Sequence, residues 1–152
     1  MLREKVWYMK CALCKRVESS RKGEYPFLIH EFPHSYLYLG EHQFYQGYCV
    51  LVTKKHYREM TDMPEKERNE FFLEMMTVHK LLEKTFNFKK MNMESLGNVV
   101  AHIHWHFFPR YETEPYFTNP PFLQMDQFEQ ARIDTTTREE LIEKLKTSLR
   151  TL

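Results

Sequence analysis

Leu96-Gly97-Asn98-Val99-Val100-Ala101-His102-Ile103-His104-Trp105-His106-Phe107-Phe108-Pro109-Arg110 is the stretch from which the chain is read outward. Three histidines alternate with Ile103, Trp105 and Phe107, and a period of two predicts a β-strand over residues 102–109. Successive strand side chains point to opposite faces, so His102, His104 and His106 share one row, neighbours roughly 7 Å apart. Ile103, Trp105 and Phe107 then point into a core. Imidazole titrates near neutral pH and serves as nucleophile, acid or metal ligand. One histidine on a strand is usually incidental. Three in alternation on an otherwise apolar strand point to a chemical site.

The neighbouring segments say what kind of sheet this strand joins. Residues 27–31, 35–39 and 88–93 suit strands, and Pro33 separates the first two. Residues 48–53 follow Gly47 and are almost continuously apolar, which predicts a central strand. An extended lead-in precedes Cys11, and the polar residues 15–24 read as a loop. Asp62 is the expected N-cap of a long amphipathic helix, with Pro64 in its first turn. Phe71, Phe72, Met75, Met76, His79, Leu82 and Phe86 follow at three- and four-residue steps. Residues 137–149 form a closing helix with Leu141, Ile142, Leu145 and Leu149 on one face. The expected fold class is α+β: an antiparallel sheet of about five strands, with one long helix and a C-terminal helix packed against one side.

At 152 residues the chain suits a single domain, 1–152, with 112–152 as a loop and C-terminal helix extension. Hydrophobic residues make up 42% and aromatics 15%, enough for a sizeable core. A net charge of +1 gives no global electrostatic case for nucleic acid or a membrane surface, so any anion must be held locally. Residues 1–10 lack the apolar run of a signal peptide, and no stretch approaches the roughly 18 apolar residues of a membrane span. A cytoplasmic protein is expected, and a reducing compartment argues against disulfides among the three cysteines. Cys49, inside an apolar strand, reads as a small buried hydrophobe. Cys11-Ala12-Leu13-Cys14 is open to three readings: half of a zinc site, a redox pair, or chance. No βαβ pattern surrounds it to favour the redox pair.

His-x-His-x-His followed by apolar residues and Pro109-Arg110 resembles the signature of the histidine-triad (HIT) superfamily. Gly97-Asn98 stands where that family keeps a glycine and an amide. Gly47-Tyr48-Cys49-Val50-Leu51-Val52-Thr53-Lys54-Lys55-His56 is similar to the family strand that ends in a basic pair and a histidine. The resemblance spans roughly residues 8–111 and is to the family's zinc-containing bacterial type.

The resemblance implies the HIT-like fold and the catalytic residues His102, His104 and His106. His104 is the implied nucleophile at an α-phosphate, forming a nucleotidyl-histidine that water then cleaves. His106 is implied to contact phosphate oxygens, and Asn98, with Gly97, to bind the phosphate or leaving group. Histidine rather than glutamine at position 106 favours hydrolysis over nucleotidyl transfer. The implied substrate is an adenosine-type nucleotide, either a dinucleoside polyphosphate or a nucleoside phosphoramidate. The implied ligands of one structural zinc are Cys11, Cys14, His56 and His102, and a homodimer is implied, its sheets joined across a two-fold axis.

The chain also departs from the family. Tyr48 stands where many members have histidine, Gly40 where many have a ribose-binding acid, and Val99 where a small residue is common. Glu41 and Gln43 are the alternative ribose contacts. Two rival functions stay open: a zinc hydrolase ligating metal through the whole histidine row, and a nucleotide-binding or scaffolding protein with weak chemistry.

Overall fold

The computed structural model of the chain describes residues 11–152, so the lead-in expected before Cys11 lies outside the described residues. The elements run α1 (Ala12–Arg21), β1 (Leu28–Glu31), β2 (Ser35–Leu39), β3 (Cys49–Thr53), α2 (Glu65–Thr85), β4 (Lys90–Glu94), β5 (His104–Arg110), α3 (Met125–Phe128) and α4 (Thr135–Leu149). The strands form one antiparallel sheet in the order β1-β2-β3-β5-β4, the expected α+β architecture. Every residue of β2 and β3 is buried, as the apolar run at 48–53 predicts for central strands.

Alternation in these strands feeds two cores, one on each face. Leu37, Leu39, Cys49 and Leu51 join Ile103, Phe107, Phe71, Leu82 and Leu145 beneath α2 and α4. Tyr36, Tyr38, Val50 and Val52 join Phe108, Leu13, Cys14 and Val17 beneath α1. The expectation that helices pack on one side only is therefore corrected: α1 covers the second face. Residues 15–24, expected as loop, are largely helix for the same reason. Leu13, Cys14, Val17 and Ser20 recur at three- and four-residue steps and are buried, while the polar residues occupy the outer face. Cys11 caps this helix, its Sγ accepting from the Cys14 amide at 3.4 Å.

The long helix also starts later than expected. Asp62 closes a short 3₁₀ turn, its carboxylate accepting from the Glu59 amide at 3.0 Å, and Pro64 occupies the N-cap of α2. On α2, Phe71, Met75 and Leu82 are buried as read, but Phe72 and Met76 are each 43% exposed, and Val78 and Leu81 complete the inner stripe. His79 sits on the outer side, 3.4 Å from Glu83. The closing helix begins two residues early, behind Asp134, which accepts from the Thr137 amide at 2.8 Å. No helix among the described residues is long and apolar enough to cross a membrane.

One buried cation fixes the path of the chain beyond the sheet. Arg110 is 1% exposed and donates to Glu114 and Asn92 (both 2.7 Å) and to the carbonyls of Tyr116 (2.7 Å) and Asn119 (2.8 Å). Its guanidinium lies 4.7 Å from the Tyr45 ring centroid. These bonds make it a structural clamp for residues 111–119, and the segment that follows crosses the functional face.

Candidate functional site

Strand β5 begins at His104, two residues later than the alternation predicts. His102 lies in a bend before it, where its amide donates to the Val100 carbonyl at 2.8 Å and the Ile103 amide to Tyr57 at 2.8 Å. The expected row of three is thereby split. His104 pairs across from Val52 and His106 from Val50, which sets both on the face covered by α1. His102 is buried beside the start of α1.

His104 and His106 sit edge to face, ring centroids 5.0 Å apart. The His104 Nδ1 lies 2.6 Å from the His102 carbonyl oxygen. A carbonyl only accepts, so Nδ1 carries the proton, and in the neutral ring Nε2 carries the lone pair. Burial lowers the His104 pKa below its ordinary value, which keeps the ring neutral near pH 7. His106 is pushed down to about 3, mainly by burial and then by the charge of His104. Its Nδ1 lies 2.7 Å from the Tyr48 hydroxyl.

Both rings border a cavity of about 390 Å³ whose wall includes Arg16, Tyr48, Val100 and Arg132. Residues 121–133 close one side. Phe122 meets His106 edge-on at 4.9 Å, and Phe128 stacks on His42 at 4.1 Å, which stacks on Tyr48 at 4.7 Å. Backbone bonds tie this segment to the loop after β2: Gln43 N to Ala131 O at 2.9 Å and Ile133 N to Glu41 O at 3.2 Å. Glu41 joins the two arginines, 2.8 Å from Arg132 and 3.3 Å from Arg16.

Gly40 is explained by its neighbour. A Cβ at this position would lie 2.1 Å from Cδ1 of Tyr48, so the tyrosine ring fills the space a side chain would need. Gly40→Ala is therefore expected to lower stability by about 1–3 kcal/mol through overpacking. Denaturant unfolding of the two proteins checks it, and equal midpoints would mean that the ring moves freely.

The remaining predicted residues are distributed as follows. Gly97 has φ of 72°, which glycine adopts without strain, and it turns the chain toward β5. Asn98 lines a neighbouring cavity of about 310 Å³ with Cys11, His56 and Arg58, and Val100 borders both cavities. Gln43 is committed to the loop: its amide nitrogen donates to the carbonyls of Gly40 (3.2 Å) and Tyr48 (3.0 Å), and its oxygen accepts from the Gly47 amide (2.8 Å). Trp105 packs against the first core.

The ligand atoms of Cys11, Cys14, His56 and His102 all lie within 4.8 Å of one another, a group able to hold a metal ion. The His102 Nδ1 is 3.5 Å from the Cys11 sulfur and 3.4 Å from that of Cys14, and the His56 Nδ1 is 3.3 Å from Cys14. The other His102 nitrogen is 2.8 Å from the Thr53 carbonyl oxygen, which fixes the tautomer that turns Nδ1 toward the sulfurs. Burial and then Cys11 push the Cys14 thiol up to about 12, so a cation is what would stabilise a thiolate here. Two sulfurs and two imidazoles are a donor set that suits tetrahedral zinc. The histidine row is not a common ligand set, because His102 turns to the cysteines while His104 and His106 face the cavity.

Several wall residues carry no signal in the sequence that would place them at the site, Arg16, His42, Phe128 and Arg132 among them. Arg16 stands on α1, whose polar outer face reads as loop, although the spacing of Leu13 and Val17 signals a helix. His42, Phe128 and Arg132 are assembled by the pairing of two distant loops, and no local pattern announces it.

The HIT domain family profile matches residues 21–113, more than half of the chain. An uncharacterized HIT-like protein of Methanocaldococcus jannaschii is 30% identical over 107 residues, covering 67% of this chain and 80% of that protein. The adenosine 5′-monophosphoramidase of Saccharomyces cerevisiae is 28% identical over 106 residues, covering 66% of this chain and 62% of that protein. A zinc-bound histidine triad family protein from Mycobacterium smegmatis shares the fold with a TM-score of 0.65 and 22% identity, covering 95% of this chain and 96% of that one. With its His-x-His-x-His segment and the fold that positions it, this chain belongs to the histidine-triad (HIT) family.

Proposed function

We propose that the chain is a nucleotide hydrolase or nucleotidyl transferase acting at the α-phosphate of an adenosine-type nucleotide, a dinucleoside polyphosphate or a nucleoside phosphoramidate. The observation that carries this reading is His104: its Nδ1 proton is held by the His102 carbonyl at 2.6 Å, and the ring borders the cavity beside His106. The Nε2 lone pair forms a bond to phosphorus while the bond to the leaving group breaks, the electron pair departing with that group. The leaving group takes up a proton from solvent; water then attacks the nucleotidyl-histidine and gives up a proton to solvent as the phosphorus–nitrogen bond breaks, which releases the nucleoside monophosphate and restores the free imidazole. His106 contacts the phosphate oxygens, and Asn98, with Gly97, binds the phosphate or leaving group from the neighbouring cavity, which shares Val100 with the histidine cavity. The yeast relative's name as an adenosine monophosphoramidase supports the substrate class.

Cys11, Cys14, His56 and His102 hold one structural zinc in this reading, which draws the start of α1 and the approach to β5 together. The chain works as one HIT-like domain with 112–152 as its extension, and as a cytoplasmic homodimer without nucleic-acid or membrane partners. The edge of β4, unpaired among the described residues, and the exposed Phe72, Leu73 and Met76 of α2 support self-association.

A panel of adenosine phosphoramidate and dinucleoside polyphosphates, scored for AMP release by purified protein, tests the function. AMP release at enzymatic rates from at least one class is expected. Tight nucleotide binding without turnover across the panel would instead indicate a scaffolding protein.

A further inference from the structure

We infer that Tyr48 is a positioning residue that fixes His106 as the tautomer with its proton on Nε2, so that the two facing imidazoles of the site are held in opposite tautomers. The tautomer follows from geometry alone; its effect on turnover rests on the proposed nucleotide chemistry.

The Tyr48 hydroxyl and the His106 Nδ1 are 2.7 Å apart, and one of them donates. Among the described residues His106 is the only hydrogen-bond partner of that hydroxyl, and Tyr48 is 6% exposed. If Nδ1 carried the proton and donated it, the hydroxyl hydrogen would have no acceptor among the described residues, an arrangement that largely buried groups avoid. With the hydroxyl donating, the hydroxyl hydrogen and the Nδ1 lone pair are both satisfied, and the His106 proton resides on Nε2 of a ring that borders the cavity. Burial raises the Tyr48 pKa above its ordinary range, so the hydroxyl keeps the hydrogen that this bond requires.

The ring cannot swing away from this bond. It stacks on Phe108 with centroids 4.6 Å apart and planes within 2°, and on His42 from a centroid distance of 4.7 Å. Its edge fills the space above Gly40, where even a methyl group would lie 2.1 Å from the ring. Gly40 and Tyr48 are thus one device: the missing side chain at 40 makes room for the ring that reaches His106.

The consequence is a division of labour between like residues. His104 presents a lone pair at Nε2, because its Nδ1–H is held by the His102 carbonyl. His106 presents an N–H at Nε2, because its Nδ1 is held by Tyr48. A phosphate approached by the lone pair of His104 meets a hydrogen-bond donor at His106. That donor strengthens its bond to a non-bridging oxygen as negative charge develops there, and no proton changes place.

The test uses the metal-loaded protein, nitrogen-15 labelled, and reads the histidine ring tautomers from two-bond proton–nitrogen correlations. His106 is expected as a single tautomer protonated at Nε2 in the parent, a measurement that needs no variant. In Tyr48→Phe, which keeps the stacked ring and lacks the hydroxyl, His106 is expected to become a mixture of tautomers. Turnover by the same variant should drop about tenfold in kcat with KM within about twofold, since the donor is used in the transition state. A parent His106 protonated at Nδ1, or an unchanged single tautomer in Tyr48→Phe, overturns the inference. A parent that releases no nucleotide from any substrate overturns the proposed function instead, and leaves the spectra to decide the tautomer.

Discussion

His104→Ala is expected to reduce turnover by at least about a thousandfold while the protein stays folded, as for enzymes that lose a nucleophile outright. The side chain borders the cavity rather than filling a core, and its one hydrogen bond among the described residues goes to the carbonyl of His102. Val52, paired across from it, stays packed in the core beneath α1. Alanine therefore removes the attacking nitrogen and leaves the sheet and both cores in place. Steady-state rates with the best substrate of the panel, alongside thermal unfolding, measure both halves. A well-folded His104→Ala retaining activity within about tenfold of the parent would rule out attack by this nitrogen.

Metal removal should have the largest effect on stability. Structural zinc contributes roughly 10–16 kcal/mol of binding free energy in small zinc domains, and such binding is folding free energy. Here the four ligand atoms come from the start of α1, the segment after β3 and the approach to β5. The last two are also joined by the Ile103 amide donating to the Tyr57 carbonyl at 2.8 Å, while the start of α1 meets them through packing and the metal group. Protein prepared without added metal should contain about one zinc per chain by elemental analysis, and a strong chelator should lower Tm steeply. Cys14→Ser should lower stability and also activity, although Cys14 does not border the histidine cavity. The link is His102. Its Nδ1 faces the two sulfurs, its Nε2 bonds to Thr53, and its carbonyl holds the His104 ring. Loosening that residue misplaces the nucleophile without removing it, so the loss of rate should be smaller than for His104→Ala. A Cys14→Ser protein equal to the parent in rate and Tm, or a zinc-free protein of full stability, would separate the metal group from the histidine pair.

The sequence made the sheet legible because period-two alternation and continuous apolar runs report burial directly. Residues 35–39 and 48–53 became β2 and β3 within a residue of expectation. It misled at α1, where charged residues on an outward face masked the buried Leu13, Cys14, Val17 and Ser20. It misled also at His102, where strict alternation was carried past the strand's start into a bend held by backbone bonds to Val100 and Tyr57. The resemblance groups His102 with Cys11, Cys14 and His56, and the structure brings those four side chains together. What no local pattern announces is the wall of the cavity. Arg132 faces His42 across 90 residues of chain, through an isolated bridge between loops, and Phe128 enters by the same pairing. Tyr48 and Gly40 look like two unrelated departures in the sequence, and become one feature only when the ring is seen filling the glycine's space.

The central claim is that phosphorus is attacked twice, first by His104 and then by water. The stereochemical course at phosphorus reads that count directly. A substrate with a chiral α-phosphorothioate, hydrolysed in isotopically labelled water, yields a nucleoside phosphorothioate whose configuration can be assigned. Two in-line displacements each invert the centre, so retention is predicted. Net inversion would mean a single direct attack by water and would contradict the covalent intermediate on His104.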